Sequence, residues 1–175
     1  MAAYKGVGNS TKGRNAGVGK RMSLRVLVAS VDLKLRQNIY EDLNSDGCRV
    51  TEAQNGFEAL YVAQLSEPFD IILLDTEVSK QDAIDATVQI RSLFGRKGSA
   101  PIVALVHSPS PTEYAYLLDV GFDEVMAKST LPSNLLQRCK RAIVQKLAAS
   151  EENTEGASSE PTWNLAYGLY DLGAA

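Results

Sequence analysis

An aspartate, Asp75, closes the apolar run Phe69-Asp70-Ile71-Ile72-Leu73-Leu74-Asp75. The run has the length and composition of a buried strand, which puts the carboxylate at that strand's carboxyl end. In open α/β sheets, ligands and chemistry gather at such ends, so a charge placed there needs a reason. His107, the only histidine, follows Val106 directly and stands at the rim of the same pocket. One imidazole and one carboxylate fall short of the three protein ligands usual for zinc, so His107 reads first as a bulky side chain that narrows the pocket. Gly17-Val18-Gly19-Lys20-Arg21 has the outline of a phosphate-binding loop but fails on three counts. Arg14 occupies the first glycine position, Arg21 replaces the Ser/Thr, and no strand precedes it, which argues against nucleotide hydrolysis.

The elements that must hold Asp75 in place follow a regular alternation from Leu24 onward. Leu24 to Ala29 reads as a short buried strand, and Asp32 as the cap of a helix with Leu35, Ile39 and Leu43 on one stripe. Gly47 ends that region before a weaker strand over residues 49–53. Asn55-Gly56 turns into a helix whose inner side carries Ala59, Leu60 and Ala63. After the Asp75 strand, Asp82 opens a third helix with Ala86, Ile90 and Leu93 or Phe94 inward. Residues 102–106 form a fourth strand, a short fourth helix ends at Gly121, and residues 122–127 form a fifth strand. Pro132 suits the first turn of a last helix with Leu135, Leu136, Cys139, Ile143 and Leu147 as its stripe. Strands alternating with helices imply an α/β fold: a doubly wound, five-stranded parallel sheet with right-handed crossovers and helices on both faces.

The expected organisation is a flexible basic arm over residues 1–23, a domain over 24–147, an acidic linker over 148–161 and an aromatic segment over 162–175. Met22 reads as an alternative start, which would make the arm a leader. Hydrophobic residues make up 45% and charged residues 22%, and the net charge of −3 hides a segregation. Residues 1–25 carry six bases and no acid, whereas residues 149–175 carry five acids and no base. Cys48 and Cys139 read as free thiols of a reducing compartment, and no apolar stretch reaches membrane-span length, so a cytoplasmic location is expected. Trp163, Tyr167 and Tyr170 fall at i, i+4 and i+7, a pattern suited to docking on the chain's own domain or in a partner's groove. The basic arm and the bases of the last helix could meet phosphate-rich ligands, but there is no helix-turn-helix or stacking pattern for nucleic acid.

Several stretches together resemble the receiver domain of two-component response regulators: Val26-Leu27-Val28, residues 53–60, residues 69–75, Pro101 to Leu105, and Ala127-Lys128. The resemblance implies a flavodoxin-like strand order 2-1-3-4-5. It also implies that Asp75 is the phosphoacceptor position served by a histidine kinase, with Lys128 as its electrostatic partner. A flavin-binding role, which the same topology allows, is disfavoured by the acidic loop 30–33, which is short of phosphate donors.

Other positions depart from the family's pattern. Where two acids usually hold magnesium, this chain has Ser30 and Val31, with Glu77 as the nearest acid to help. Val106 stands where a hydroxyl residue is expected, and Val125 where the moving aromatic would be. The expectation drawn is a degenerate, pseudo-receiver signalling protein that is not an enzyme, has no cofactor and acts through protein–protein contact. Its partner would be a histidine kinase, phosphotransfer protein or effector, and a homodimer could form through the fourth and fifth helices. Two alternatives stay open. One is a phosphorylatable single-domain regulator that uses magnesium; the other is a binder of phosphate-rich ligands such as cyclic dinucleotides.

Overall fold

The computed structural model describes residues 23–77, 80–131 and 135–155. Trp163, Tyr167, Tyr170, Pro132 and the arm up to Met22 lie outside the described residues. Five strands, β1 (Arg25–Ala29), β2 (Arg49–Ala53), β3 (Ile71–Asp75), β4 (Ile102–Val106) and β5 (Glu124–Ala127), form one parallel sheet in the order β2-β1-β3-β4-β5. This is the doubly wound topology expected from the alternation. Its register aligns Ala29 with Leu74, Asp75 with Leu105, and Val106 with Ala127, so the ends of β1, β3, β4 and β5 share one carboxyl edge.

Side-chain alternation along the strands explains the two layers of helix. Val26, Val28, Ile71, Leu73, Val103 and Leu105 face α1 (Leu33–Ser45) and α6 (Leu135–Glu155), where they meet Ile39, Leu43, Leu135 and Cys139. Leu27, Ile72, Leu74, Ile102 and Ala104 face the opposite way, toward α2 (Gly56–Leu65), α3 (Lys80–Arg91) and α5 (Pro111–Val120). Strands buried on both faces read as near-continuous apolar runs, as these do. The two cysteines are free and buried, and burial pushes the Cys139 thiol up to about 12.

Local signals set the ends of the helices. Asp32 accepts the backbone N–H groups of Lys34 and Leu35, and Asn55 and Glu58 form a reciprocal box with the N–H groups of Glu58 and Gln54. Gly121 takes the left-handed conformation, and paired bonds to the carbonyls of Leu118 and Leu117 close α5. Phe122 thereby belongs to the cap, and β5 starts at Glu124 rather than Phe122.

The other differences have equally local causes. Leu93 packs on the core while Phe94 is 98% exposed, because the chain turns at Gly95, whose φ is +63°. A four-residue helix, α4 (Arg96–Ser99), then precedes β4, so the two helices named from sequence as fourth and fifth are α5 and α6. α6 runs on to Glu155, making residues 148–155 helical where a linker was expected. Ala148, Ala149 and the glutamates there sustain a helix, and no breaker occurs before Gly156.

Gly56 marks the tightest contact between helices. A Cβ added there would lie 2.3 Å from the Asp82 carbonyl oxygen, against backbone that cannot rotate away. Gly56→Ala is therefore expected to lower unfolding stability by about 1–3 kcal/mol, measured by urea denaturation, instead of the gain that Gly→Ala usually brings within a helix.

Candidate functional site

The site is built from the carboxyl ends of β1, β3 and β5. β3 delivers Asp75, whose side chain keeps only 2% of its surface exposed. A carboxylate this deep stays charged only if donors replace the lost water. Lys128, in the 3-10 turn (Lys128–Thr130) that follows β5, places its Nζ 2.7 Å from Asp75 Oδ1. The same oxygen accepts the Glu77 backbone N–H at 3.0 Å. The other oxygen, Oδ2, accepts the hydroxyl of Ser30 at 2.5 Å. Ser30 also receives the Asp32 backbone N–H at 3.0 Å, which ties the start of α1 to the carboxylate through one hydroxyl.

Glu77 completes a bridge, since its Oε2 lies 2.7 Å from the same Lys128 ammonium. Burial works to lower the pKa of Lys128, but the hydrogen bonds and charges of Asp75 and Glu77 outweigh it, and the net shift is upward. A folded-state pKa above the unfolded one means that the ammonium's stabilising contribution is complete below the unfolded value. It is lost only as pH climbs through the folded value, so the Lys128 ammonium is fully charged at neutral pH.

The remaining sequence-derived positions are placed as follows. Val31 is largely exposed and carries no oxygen, and Asp32 has committed Oδ1 to its helix cap. Val106 and Val125 are buried among the apolar side chains of the α2–α3 layer. His107 lies exposed just beyond β4. Arg138 and Lys146, two of the bases on the last helix, pair with Glu124 at 3.0 Å and Asp123 at 2.7 Å, which takes charge from the suspected basic face.

Sequence reasoning passed over Arg36, Thr76 and Thr87. Arg36 is buried and its guanidinium donates to the Ser30 carbonyl, with Glu52 4.0 Å away. Its signal was available: Arg36 shares the inward stripe of Ile39 and Leu43, an odd place for a cation. Thr76 anchors the residue after Asp75 to β4, its N–H bonding the Leu105 carbonyl at 3.1 Å. Thr87 is wholly buried on α3 and donates to the Ala83 carbonyl at 2.8 Å.

The donor set near Asp75 consists of hard oxygens: two carboxylates, Asp75 and Glu77, and the Ser30 hydroxyl. Among the described residues no group of three or more His, Cys, Asp or Glu side chains is placed to hold a metal unaided. Magnesium commonly binds through one or two carboxylates, with waters and phosphate oxygens completing the octahedron, and the set meets that lower requirement. No helix among the described residues is long and apolar enough to cross a membrane.

Comparison with known proteins agrees with this geometry. Residues 26–140 match the family described as "Response regulator receiver domain". Response regulator MprA of Mycobacterium sp. (strain KMS) is 30% identical over 130 residues, which cover 74% of this chain and 54% of that protein. The chain thus spans about half the length of the curated relatives it matches first. The chemotaxis response regulator CheY4 of Vibrio cholerae superposes with a TM-score of 0.63 at 26% identity, covering 69% of this chain and 98% of that one. The receiver domain of sensor histidine kinase PA1611 from Pseudomonas aeruginosa PAO1, with a magnesium ion coordinated in its active-site cleft, gives a TM-score of 0.61 at 26% identity. It covers 69% of this chain and 98% of that chain.

One expectation is overturned, that the chain is not an enzyme. The Asp75 carboxylate and the Lys128 ammonium stand at contact distance at a receiver's positions, and Thr87 is present and buried on α3. The Asp75–Lys128 pair is typical of receivers that catalyse their own phosphorylation and dephosphorylation. The matched profile, the strand order and the assembled Asp75–Lys128 pair lead to one conclusion: the chain belongs to the response regulator receiver domain family, and is a receiver-type signalling protein.

Proposed function

We propose that Asp75 accepts a phosphoryl group from a phosphohistidine, carried by a histidine kinase or a phosphotransfer protein, and later surrenders it to water. The observation that carries this reading is the 2.7 Å contact between Lys128 and Asp75 within an almost fully buried pocket. Phosphoryl transfer asks little covalent chemistry of a protein beyond a positioned nucleophile and compensation of the anionic oxygens. Oδ2 is the better nucleophile, because Oδ1 already carries the lysine and the Glu77 N–H while Oδ2 carries only the Ser30 hydroxyl. As Oδ2 attacks phosphorus, the new O–P bond forms, the N–P bond of the phosphohistidine breaks, and the departing imidazole takes up a proton. Water then attacks the acyl phosphate at phosphorus, releasing phosphate and restoring the carboxylate.

Lys128 neutralises the oxygens throughout, and the Ser30 hydroxyl is free to turn from Oδ2 to a phosphoryl oxygen. Asp75 and Glu77 would hold magnesium, with Ser30 nearby; the ion would supply the charge neutralisation that three anionic oxygens need beside a carboxylate. With Val106 in place of a hydroxyl and Val125 buried in the core, the phosphoryl group finds its donors on β1 and β5 and none on the β4 side chain.

Two measurements test this reading. The full chain incubated with phosphoramidate and magnesium should gain one phosphoryl group by intact mass. Asp75→Asn should abolish the gain, and Ser30→Asp, which returns a second acid beside the acceptor, should accelerate it. An unmodified wild-type chain, or undiminished labelling of Asp75→Asn, would contradict the assignment. Independently, Asp75→Asn removes a charge and an acceptor from Lys128, so the ammonium should titrate at lower pH by NMR of its Nζ. An unchanged titration would show that the two groups are not coupled as described.

A further inference from the structure

A second cleft opens at the amino edge of the sheet, remote from Asp75. It holds about 330 Å³, at the lower end of the roughly 300–1,000 Å³ typical of ligand pockets. Phe69 and Asp70 lead into β3 on one side, Arg96 and Pro101 lead into β4 on another, and Ile143 and Leu147 of α6 form the third wall. The lining is chiefly apolar, yet Leu147 remains 59% exposed, an unfinished face on a helix whose other leucines are packed. Asp70 is already engaged, accepting the Arg25 N–H at 2.9 Å and pairing with Arg96 at 3.3 Å. Arg96 itself stays 73% exposed, so the charge left available on the rim is positive.

The chain carries an occupant of matching chemistry. Residues 162–175 hold Trp163, Leu165, Tyr167, Leu169, Tyr170 and Leu172, with Asp171 their only charge and Glu160 just before them. The helix that leads toward this segment passes the cleft and ends near it. Ser150 of α6 lines the opening, and the helix ends five residues later at Glu155, about 7.5 Å further along its axis. Gly156 and Pro161 are helix-breaking residue types, and a seven-residue stretch such as 156–162 spans up to about 23 Å at full extension. That is enough for the chain to reverse and bring Trp163 over Leu147. Attachment through so short a linker sets an effective concentration of about millimolar, so a weak apolar contact suffices for occupancy.

We propose that this cleft seats the chain's own aromatic segment, with Trp163 against Ile143 and Leu147 and an acid of the segment facing Arg96. The seat covers the amino edge of the sheet and leaves the carboxyl edge, with Asp75, open to a phosphoryl donor. Phosphoryl chemistry plays no part in the contact, so the two proposals stand or fall separately.

Trp163 is the only tryptophan, so its fluorescence reads the seat directly in the full chain. The emission is expected to lie to the blue of free tryptophan, with acrylamide quenching several-fold slower than in the urea-unfolded chain. Leu147→Glu, made at an exposed position and checked for an unchanged circular dichroism spectrum, should move the emission to the red and restore quenching. Arg96→Glu should do so in part. Emission of a solvent-exposed tryptophan in the wild-type chain would overturn the proposal, as would blue emission that ignores Leu147→Glu. Blue emission lost on dilution would assign the seat to a second copy and overturn docking within one chain.

Discussion

The site depends on a buried carboxylate that has to be neutralised. Asp75 sits at the end of a strand whose preceding residues, Ile71 to Leu74, are wholly enclosed, and its own side chain retains almost no exposure. Removing one partner of such a pair typically costs about 3–5 kcal/mol, because the other charge stays buried without compensation. Lys128 must therefore reach across from β5, which requires β4 between them and fixes the register at the carboxyl edge. The sheet order, the packing of both helix layers and the position of the 3-10 turn after β5 all serve that one approach. The same arrangement holds Asp75 asymmetrically: the lysine and the Glu77 N–H share one oxygen, and a hydroxyl bonds the other.

Ser30 and Glu77 each bring one oxygen-bearing side chain to the Asp75–Lys128 pair, Ser30 from the end of β1 and Glu77 from beyond β3. Ser30 is neutral, so it lowers the local negative charge, yet it keeps a donor on Oδ2 and holds the N–H of Asp32. Glu77 brings the second carboxylate from the β3 side and shares the lysine. Arg36 beneath Ser30 adds a cation to the pattern: its buried guanidinium donates to the Ser30 carbonyl, with the Glu52 carboxylate 4.0 Å away. The site is thus arranged around fewer charges, and its buried carboxylate and its cation are both present and in contact.

Much of the fold was legible because burial on both faces of the sheet leaves continuous apolar runs, and because Asp32, Asn55 and Gly121 are strong local end signals. What escaped was decided by neighbours distant in sequence or by small energetic margins. The extension of α6 to Glu155 lies beyond the apolar stripe read from the sequence, where residues of good helix propensity continue without a Gly or Pro. The choice of Leu93 over Phe94 was set by Gly95, whose turn aims the chain toward β4. At the site, Asp75 and Lys128 were readable from position and resemblance. The hydrogen bond of Ser30 was not, because a serine in an acid's place reads as a loss until its hydroxyl is seen 2.5 Å from Asp75 Oδ2. That misreading carried the expectation of a non-catalytic protein with it.

The central claim is that Asp75, Lys128 and Ser30 form a working acceptor site. Amide NMR spectra of the full chain, recorded with and without magnesium and beryllofluoride, a mimic of an aspartyl phosphate, test it most directly. The account predicts shifts centred on Asp75, Ser30 and Lys128 that spread along β5 and the start of α1, and that vanish in Asp75→Asn. A spectrum unchanged at millimolar magnesium and beryllofluoride would contradict it and leave the Asp75–Lys128 pair a purely structural tie.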